Sequence, residues 1–169
     1  MIHKTISLIF LILLASGEPA CSNEGYSVGA YLESWEQFSD GAGNRPPFSI
    51  SSLDGKLLTD LYFAFAVFGY DSGNSSLTGD FSLRPLYPDD TTKLYPQLLE
   101  LKERSEGKLR LLLSIGGANF SNPSDPYGMG QHTHTLFSRM VASPSSREEF
   151  IHSAISYAHE FGFDGIDID

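Results

Sequence analysis

Phe163-Asp164-Gly165-Ile166-Asp167-Ile168-Asp169 stands at the end of the sequence, and its alternation decides how the rest is read. Side chains of a strand point alternately to its two faces, so Asp167 and Asp169 share one face and Ile166 and Ile168 the other. Two carboxylates on one face repel, and burying them is unfavourable by several kcal/mol unless they share a proton or find donors. The bland alternative is an edge strand with solvated acids, which the intervening isoleucines oppose. The isoleucines are expected to pack against helices while the carboxylates point into the mouth of a barrel. Asp164 has the opposite parity and is expected to anchor the start of the strand.

Three earlier segments read as companions of this strand. Residues 26–32 (YSVGAYL) are rich in strand formers, residues 61–68 (LYFAFAVF) are apolar throughout, and residues 109–115 (LRLLLSI) are interrupted only by Arg110 and Ser114. Continuous apolar strands indicate a parallel sheet covered on both faces. Helical signals lie between them. Residues 93–104 carry leucines at 94, 98, 99 and 101, with Pro96 in the first turn. Residues 146–161 offer Ser146 and Glu149 as a capping box. Their apolar stripe comprises Phe150, Ile151, Ala154, Ile155, Ala158 and Phe161. Polar, glycine-containing stretches at 39–52 and 70–90 read as long loops, where function gathers at one end of a barrel. The pattern predicts an α/β fold, a (β/α)8 TIM barrel of which this chain supplies about the first four strands. An open, doubly wound sheet is the alternative, but no glycine-rich phosphate turn opens a helix.

The final segment resembles the start of the D-G-x-D-x-D-x-E signature of glycoside hydrolase family 18, the family of many chitinases. Further stretches agree in order. Val28-Gly29-Ala30-Tyr31-Leu32-Glu33-Ser34-Trp35 is similar to the family's first strand, Tyr62-Phe63-Ala64-Phe65-Ala66 to its second, and Ser114-Ile115-Gly116-Gly117 to the end of its third. The run Phe137-Ser138-Arg139-Met140-Val141, continuing through Arg147 and Phe150, resembles the helix before the fourth. The resemblance implies substrate-assisted, retaining hydrolysis of β-1,4-linked N-acetylglucosamine polymers, in which the sugar's own acetamido oxygen attacks the anomeric carbon. It implies catalytic roles for Asp169, which would hold the acetamido N–H and oppose the positive charge, and for Asp167, which would share a proton with it. Tyr31 would reach the same pocket and Phe65 would line its floor, although each also suits a core position. Gly116, Gly117 and Asn119 would border the substrate, with Ser114 and Asp164 as structural parts of the motifs. The acid Glu is expected at position 171, two residues beyond Asp169, so the fragment is expected to be inactive alone. A chitinase-like lectin that lost the acid is the alternative. Ala118 stands where the resemblance often has Trp, which removes one aromatic platform for a sugar ring.

The remaining features bound the partners. The 169 residues are 41% apolar and carry a formal net charge of −10, which argues against nucleic acid and against docking on anionic lipid. Residues 1–17 read as a signal peptide: Lys4, a run over 6–14 that is apolar apart from Ser7, then Ala15-Ser16-Gly17. That implies a secreted, extracellular protein, with a short linker over 18–25, the truncated barrel over 26–169, and no membrane span. Cys21 is the one cysteine; a lipid anchor there is a minority reading because Glu18-Pro19-Ala20 precede it. No cofactor or metal is expected, since His132 and His134 read as solvated. Asn74-Ser75-Ser76 and Asn119-Phe120-Ser121 match the N-glycosylation sequon, and the first suits use better.

Overall fold

The structure, a computed structural model, describes residues 12–14, 26–37 and 48–169. Strand β1 (Ile12–Leu14) runs antiparallel to the start of β2 (Ser27–Glu33). The rest of the expected signal segment, the 18–25 linker and Cys21 lie outside the described residues, as do residues 38–47, which take in 39–47 of the first long loop. β3 (Asp60–Phe68) follows, then a hairpin of β4 (Tyr70–Asp71) and β5 (Ser76–Leu77), and β6 (Leu83–Pro85) turns back antiparallel onto the end of β3. A π-helical turn over Asp90–Leu94 leads into α1 (Tyr95–Arg104). β7 (Arg110–Ile115), α2 (Met129–Thr133), α3 (Leu136–Val141), α4 (Pro144–Glu160) and β8 (Gly165–Ile168) complete the order.

β2, β3, β7 and β8 are parallel neighbours in chain order, without the reversal of a doubly wound sheet. This is the first half of a (β/α)8 barrel. Its outer layer follows from strand parity. Leu61 and Phe63 of β3 and Leu111, Leu113 and Ile115 of β7 are buried with Leu98 and Leu101 of α1. Each such side chain contributes about 1.5–3 kcal/mol by leaving water. Phe68 sits at the centre of a second group, with the rings of Phe120, Phe137 and Phe150 at 5.2, 4.9 and 5.0 Å. At the opposite ends of the strands, Asp60 pairs with Arg110 at 2.6 Å, matching their register as cross-strand neighbours.

Three expectations need correction. α4 begins earlier than the sequence pattern indicates. Ser143, not Ser146, is the cap, accepting from the Ser146 N–H at 3.1 Å, and Pro144 occupies the first turn. Ser146 instead donates its hydroxyl to the Met140 carbonyl, and Glu149 accepts from the Phe81 N–H. Secondly, the helix is rotated away from the expected stripe. Phe150, Ala154, Tyr157 and Ala158 are buried, whereas Ile151 and Ile155 face solvent. Tyr157 takes the inner position because its hydroxyl meets that of buried Tyr95 at 3.2 Å. Thirdly, Ile166 packs on the core as expected, but Ile168 is 56% exposed. Among the described residues no strand pairs with the far edge of β8.

Candidate active site

The candidate site lies where the C-terminal ends of the parallel strands meet. Parity puts Tyr31 of β2, Tyr62 of β3, Ser114 of β7 and Asp167 of β8 on the inner face of the sheet. Register places Tyr31 opposite Tyr62 and Ser114 opposite Asp167. Asp167 gathers two of them: its Oδ2 accepts the Tyr31 phenol at 3.0 Å and the buried Ser114 hydroxyl at 2.6 Å. A partly buried carboxylate oxygen thereby has two donors, which offsets its desolvation. Burial, the bond to Asp167 and the charges of Asp167 and Asp169 all push the Tyr31 phenol well above its ordinary range, so it remains a donor.

Asp169 stands one alternation further along, exposed at the mouth. Its carboxyl is pushed above the usual range, chiefly by desolvation and then by the charge of Asp167. Its backbone is fixed from β7: the Asp169 N–H donates to the Ile115 carbonyl at 3.0 Å, and the Asp169 carbonyl accepts from Gly117 N–H at 3.1 Å. Gly116, at φ +106°, passes so close that a Cβ there would lie 2.6 Å from the Asp169 carbonyl oxygen. A Cβ on Gly117 would lie 2.9 Å from the ring of Phe65, which therefore rests on this turn, with Trp35 at 6.0 Å beyond it. Asn119 stands apart, exposed on the following turn, where its carbonyl accepts from the Asn122 N–H.

Asp164 lies at the other end of β8. Its carboxylate accepts from Lys102 Nζ at 2.6 and 2.7 Å and from the Leu111 N–H at 2.9 Å, joining β8 to α1 and β7. Burial pushes this carboxyl up, but the hydrogen bonds and the charges of Lys102 and Arg110 outweigh it and hold it below the usual range. Sequence reasoning overlooked Tyr62, whose ring stacks on Tyr31 at 4.8 Å and 20°. Its inward parity was available, but the pairing depends on the β2–β3 register. Among the described residues there is no cluster of three or more metal-ligating side chains, and no helix is long and apolar enough to cross a membrane.

The architecture is thus that of the wall of a (β/α) barrel, with carboxylates, tyrosines and a tight glycine turn at the C-terminal ends of its parallel strands. The chain belongs to glycosyl hydrolases family 18, whose sequence profile matches residues 27–169. It is 29% identical to an endochitinase of Brugia malayi over 167 residues, covering 99% of this chain and 29% of the relative. It is 38% identical to the oviduct-specific glycoprotein of Bos taurus over 134 residues, covering 78% and 21%. The chain thus spans less than a third of the length of these curated relatives. Human YKL-39, described as a pseudo-chitinase with retained chitooligosaccharide binding properties, superposes with a TM-score of 0.58 and 28% identity, covering 83% of this chain and 31% of that one. A Cycas revoluta chitinase shares the fold at a TM-score of 0.60 and 20% identity, covering 83% and 33%.

Proposed function

We propose that this chain supplies the charge-stabilising half of a chitinase-type site acting on β-1,4-linked N-acetylglucosamine polymers. The observation that carries the reading is the unequal treatment of two carboxylates on one strand face. Asp167 is held by Tyr31 and Ser114, while Asp169 is left open at the mouth with its carboxyl pushed up beside Asp167. Such a pair suits a reaction in which positive charge develops next to it. In the full-length polypeptide the acetamido oxygen of the sugar attacks its own anomeric carbon and the glycosidic C–O bond breaks. A Glu at position 171 gives its proton to the leaving oxygen. Asp169 accepts the acetamido N–H and opposes the charge of the cyclised intermediate, and water then opens it with net retention. Phe65 floors the pocket and Gly116 and Gly117 form its rim, with Asn119 on the turn beyond. Residues 1–17 direct export and the parallel strands of the barrel begin with β2, so the enzyme works outside the cell.

The test is hydrolysis of a fluorogenic chitobioside by the full-length polypeptide, with Glu or Gln at position 171. Cleavage with retained anomeric configuration, lost with Gln, is expected. Absence of cleavage with Glu in place defeats the reading. A second reading, a lectin that binds chito-oligosaccharide without cutting it, is favoured by the likeness to YKL-39. It predicts a non-acid at position 171 and binding without turnover.

A further inference from the structure

Two sequons occur in the chain, Asn74-Ser75-Ser76 and Asn119-Phe120-Ser121, and the fold treats them in opposite ways. We propose that Asn74 is an N-glycan acceptor and that Asn119 is not, a proposal independent of what the carboxylates at the barrel mouth do. Asn74 lies in the turn between β4 and β5, and residues 73–77 are all exposed. The turn is organised locally. Asp71 Oδ1 accepts from the N–H groups of Gly73 and Asn74, at 2.9 and 3.3 Å, and Asp71 pairs with Ser76 across the hairpin. The Asn74 side-chain amide donates to Asp71 Oδ2 at 2.6 Å. An N-linked sugar replaces only one of the two amide hydrogens, so the other can keep this bond. Ser76, whose hydroxyl completes the recognition sequence, is exposed. Residues 73–77 are themselves outside the buried core, and a large polar substituent on Asn74 extends directly into water.

The second sequon is built into the structure. Its middle residue, Phe120, is fully buried in the ring cluster around Phe68. The Phe120 N–H donates to the Gly117 carbonyl, and its carbonyl accepts the buried Thr133 hydroxyl at 2.6 Å. The Asn119 carbonyl is packed so closely on Gly130 that a Cβ there would lie 2.3 Å from it. Presenting Asn119 to a transferase requires Phe120 to stay out of the core, so folding of this segment competes with modification. At Asn74 folding and modification are compatible.

The co-reactant is a lipid diphosphate-linked oligosaccharide, the donor of the secretory pathway. The Asn74 side-chain nitrogen attacks the anomeric carbon, the C–O bond to the diphosphate breaks, an N-glycosidic C–N bond forms, and the amide proton is lost as the lipid diphosphate leaves. The experiment expresses the full chain behind a heterologous endoplasmic-reticulum leader, with a control sequon in an N-terminal tag to report access to the transferase. Glycosidase digestion and peptide mass mapping follow. On chains whose tag is glycosylated, the expected result is a glycan on Asn74, absent in Asn74→Gln and in Ser76→Ala, and unchanged in Asn119→Gln. Ser76→Ala keeps the Asn74–Asp71 bond, so loss in that variant is not due to a damaged turn. A bare Asn74 beside a glycosylated tag, or a glycan mapped to Asn119, overturns the proposal.

Discussion

Tyr31 and Asp167 are joined across the sheet: a phenol on β2 donates at 3.0 Å to a carboxylate on β8, with β3 and β7 lying between. Strands spaced by about 4.8 Å would separate these two by about 14 Å in a flat sheet, and their side chains would stand perpendicular to it. The bond therefore requires a strongly curled sheet whose inner face is concave, the curvature of a barrel wall. The structural feature that closes the wall is the same one that positions the carboxylate.

This dual role makes Tyr31→Phe a test of both. Removing the phenolic oxygen deletes one donor to Asp167 Oδ2, and Ser114→Ala deletes the other. Each is expected to lower stability by about 0.5–1.5 kcal/mol in denaturant titrations. The double variant is expected to lose more than the sum, because the last donor to a shared oxygen is worth more than either alone. Strict additivity would mean the two bonds do not act on one charge.

Much of the fold was legible because strands buried on both faces leave continuous apolar runs, as at residues 61–68 and 109–115. Rotation and register were not. Ser143 and Ser146 lie three residues apart and both suit a cap; the choice rests on Pro144 and on the Met140 carbonyl that takes the Ser146 hydroxyl. Ile155 and Tyr157 both fit a helical stripe. Tyr157 is inside, where its hydroxyl and ring meet those of Tyr95, 62 positions away. At the site, Asp167, Asp169 and the opposite parity of Asp164 follow from alternation alone. Tyr62 under Tyr31 and Lys102 on Asp164 needed the third dimension.

Gly116→Ala is expected to damage the site through the backbone. The residue sits at φ +106°, and the new Cβ would meet the Asp169 carbonyl oxygen at 2.6 Å. A strained φ of this kind is unfavourable by about 1–3 kcal/mol, and here the relief of strain moves Asp169 itself. Thermal melts should show the loss. In the full-length protein kcat should fall further than stability explains. Unchanged melting would mean the turn can relax without moving β8.

Two aspartates give pH dependences of opposite sign. Asp90 is buried, and desolvation lifts its carboxyl from 3.8 to about 6, against the Tyr87 N–H that it accepts. Its folded value exceeds its unfolded one, so its stabilising contribution is full below about pH 3.8 and is lost as pH rises through about 6. Asp164 is held low, so its contribution is present above the ordinary carboxylate range and is lost on acidification. Melting temperatures from pH 3 to 8 should show Asp90→Asn removing the decline between about pH 4 and 6, and Asp164→Asn removing part of the acid limb. Retention of both slopes in the variants would assign them to other groups.

Asp169→Asn in the full-length protein separates binding from chemistry. The amide can still contact an acetamido group at the barrel mouth, but it carries no charge to oppose a cyclised, positively charged intermediate. Loss of one preorganised electrostatic partner of this kind typically costs about 3–4 kcal/mol, or about a hundred- to a thousand-fold in rate. The expected outcome is a fall in kcat of that size with KM little changed, and with stability preserved because Asp169 is exposed and its fixed groups are backbone. Asp167→Asn should instead lower both kcat and stability, since it sits between Tyr31 and Ser114. It should also move the pH profile, because desolvation and then the charge of Asp167 raise the Asp169 carboxyl, and the variant removes the second cause. Steady-state kinetics and melting curves for both variants decide the matter. A near-normal kcat for Asp169→Asn would mean that the open carboxylate is not the group facing the developing charge, and that the reacting sugar lies elsewhere in the mouth.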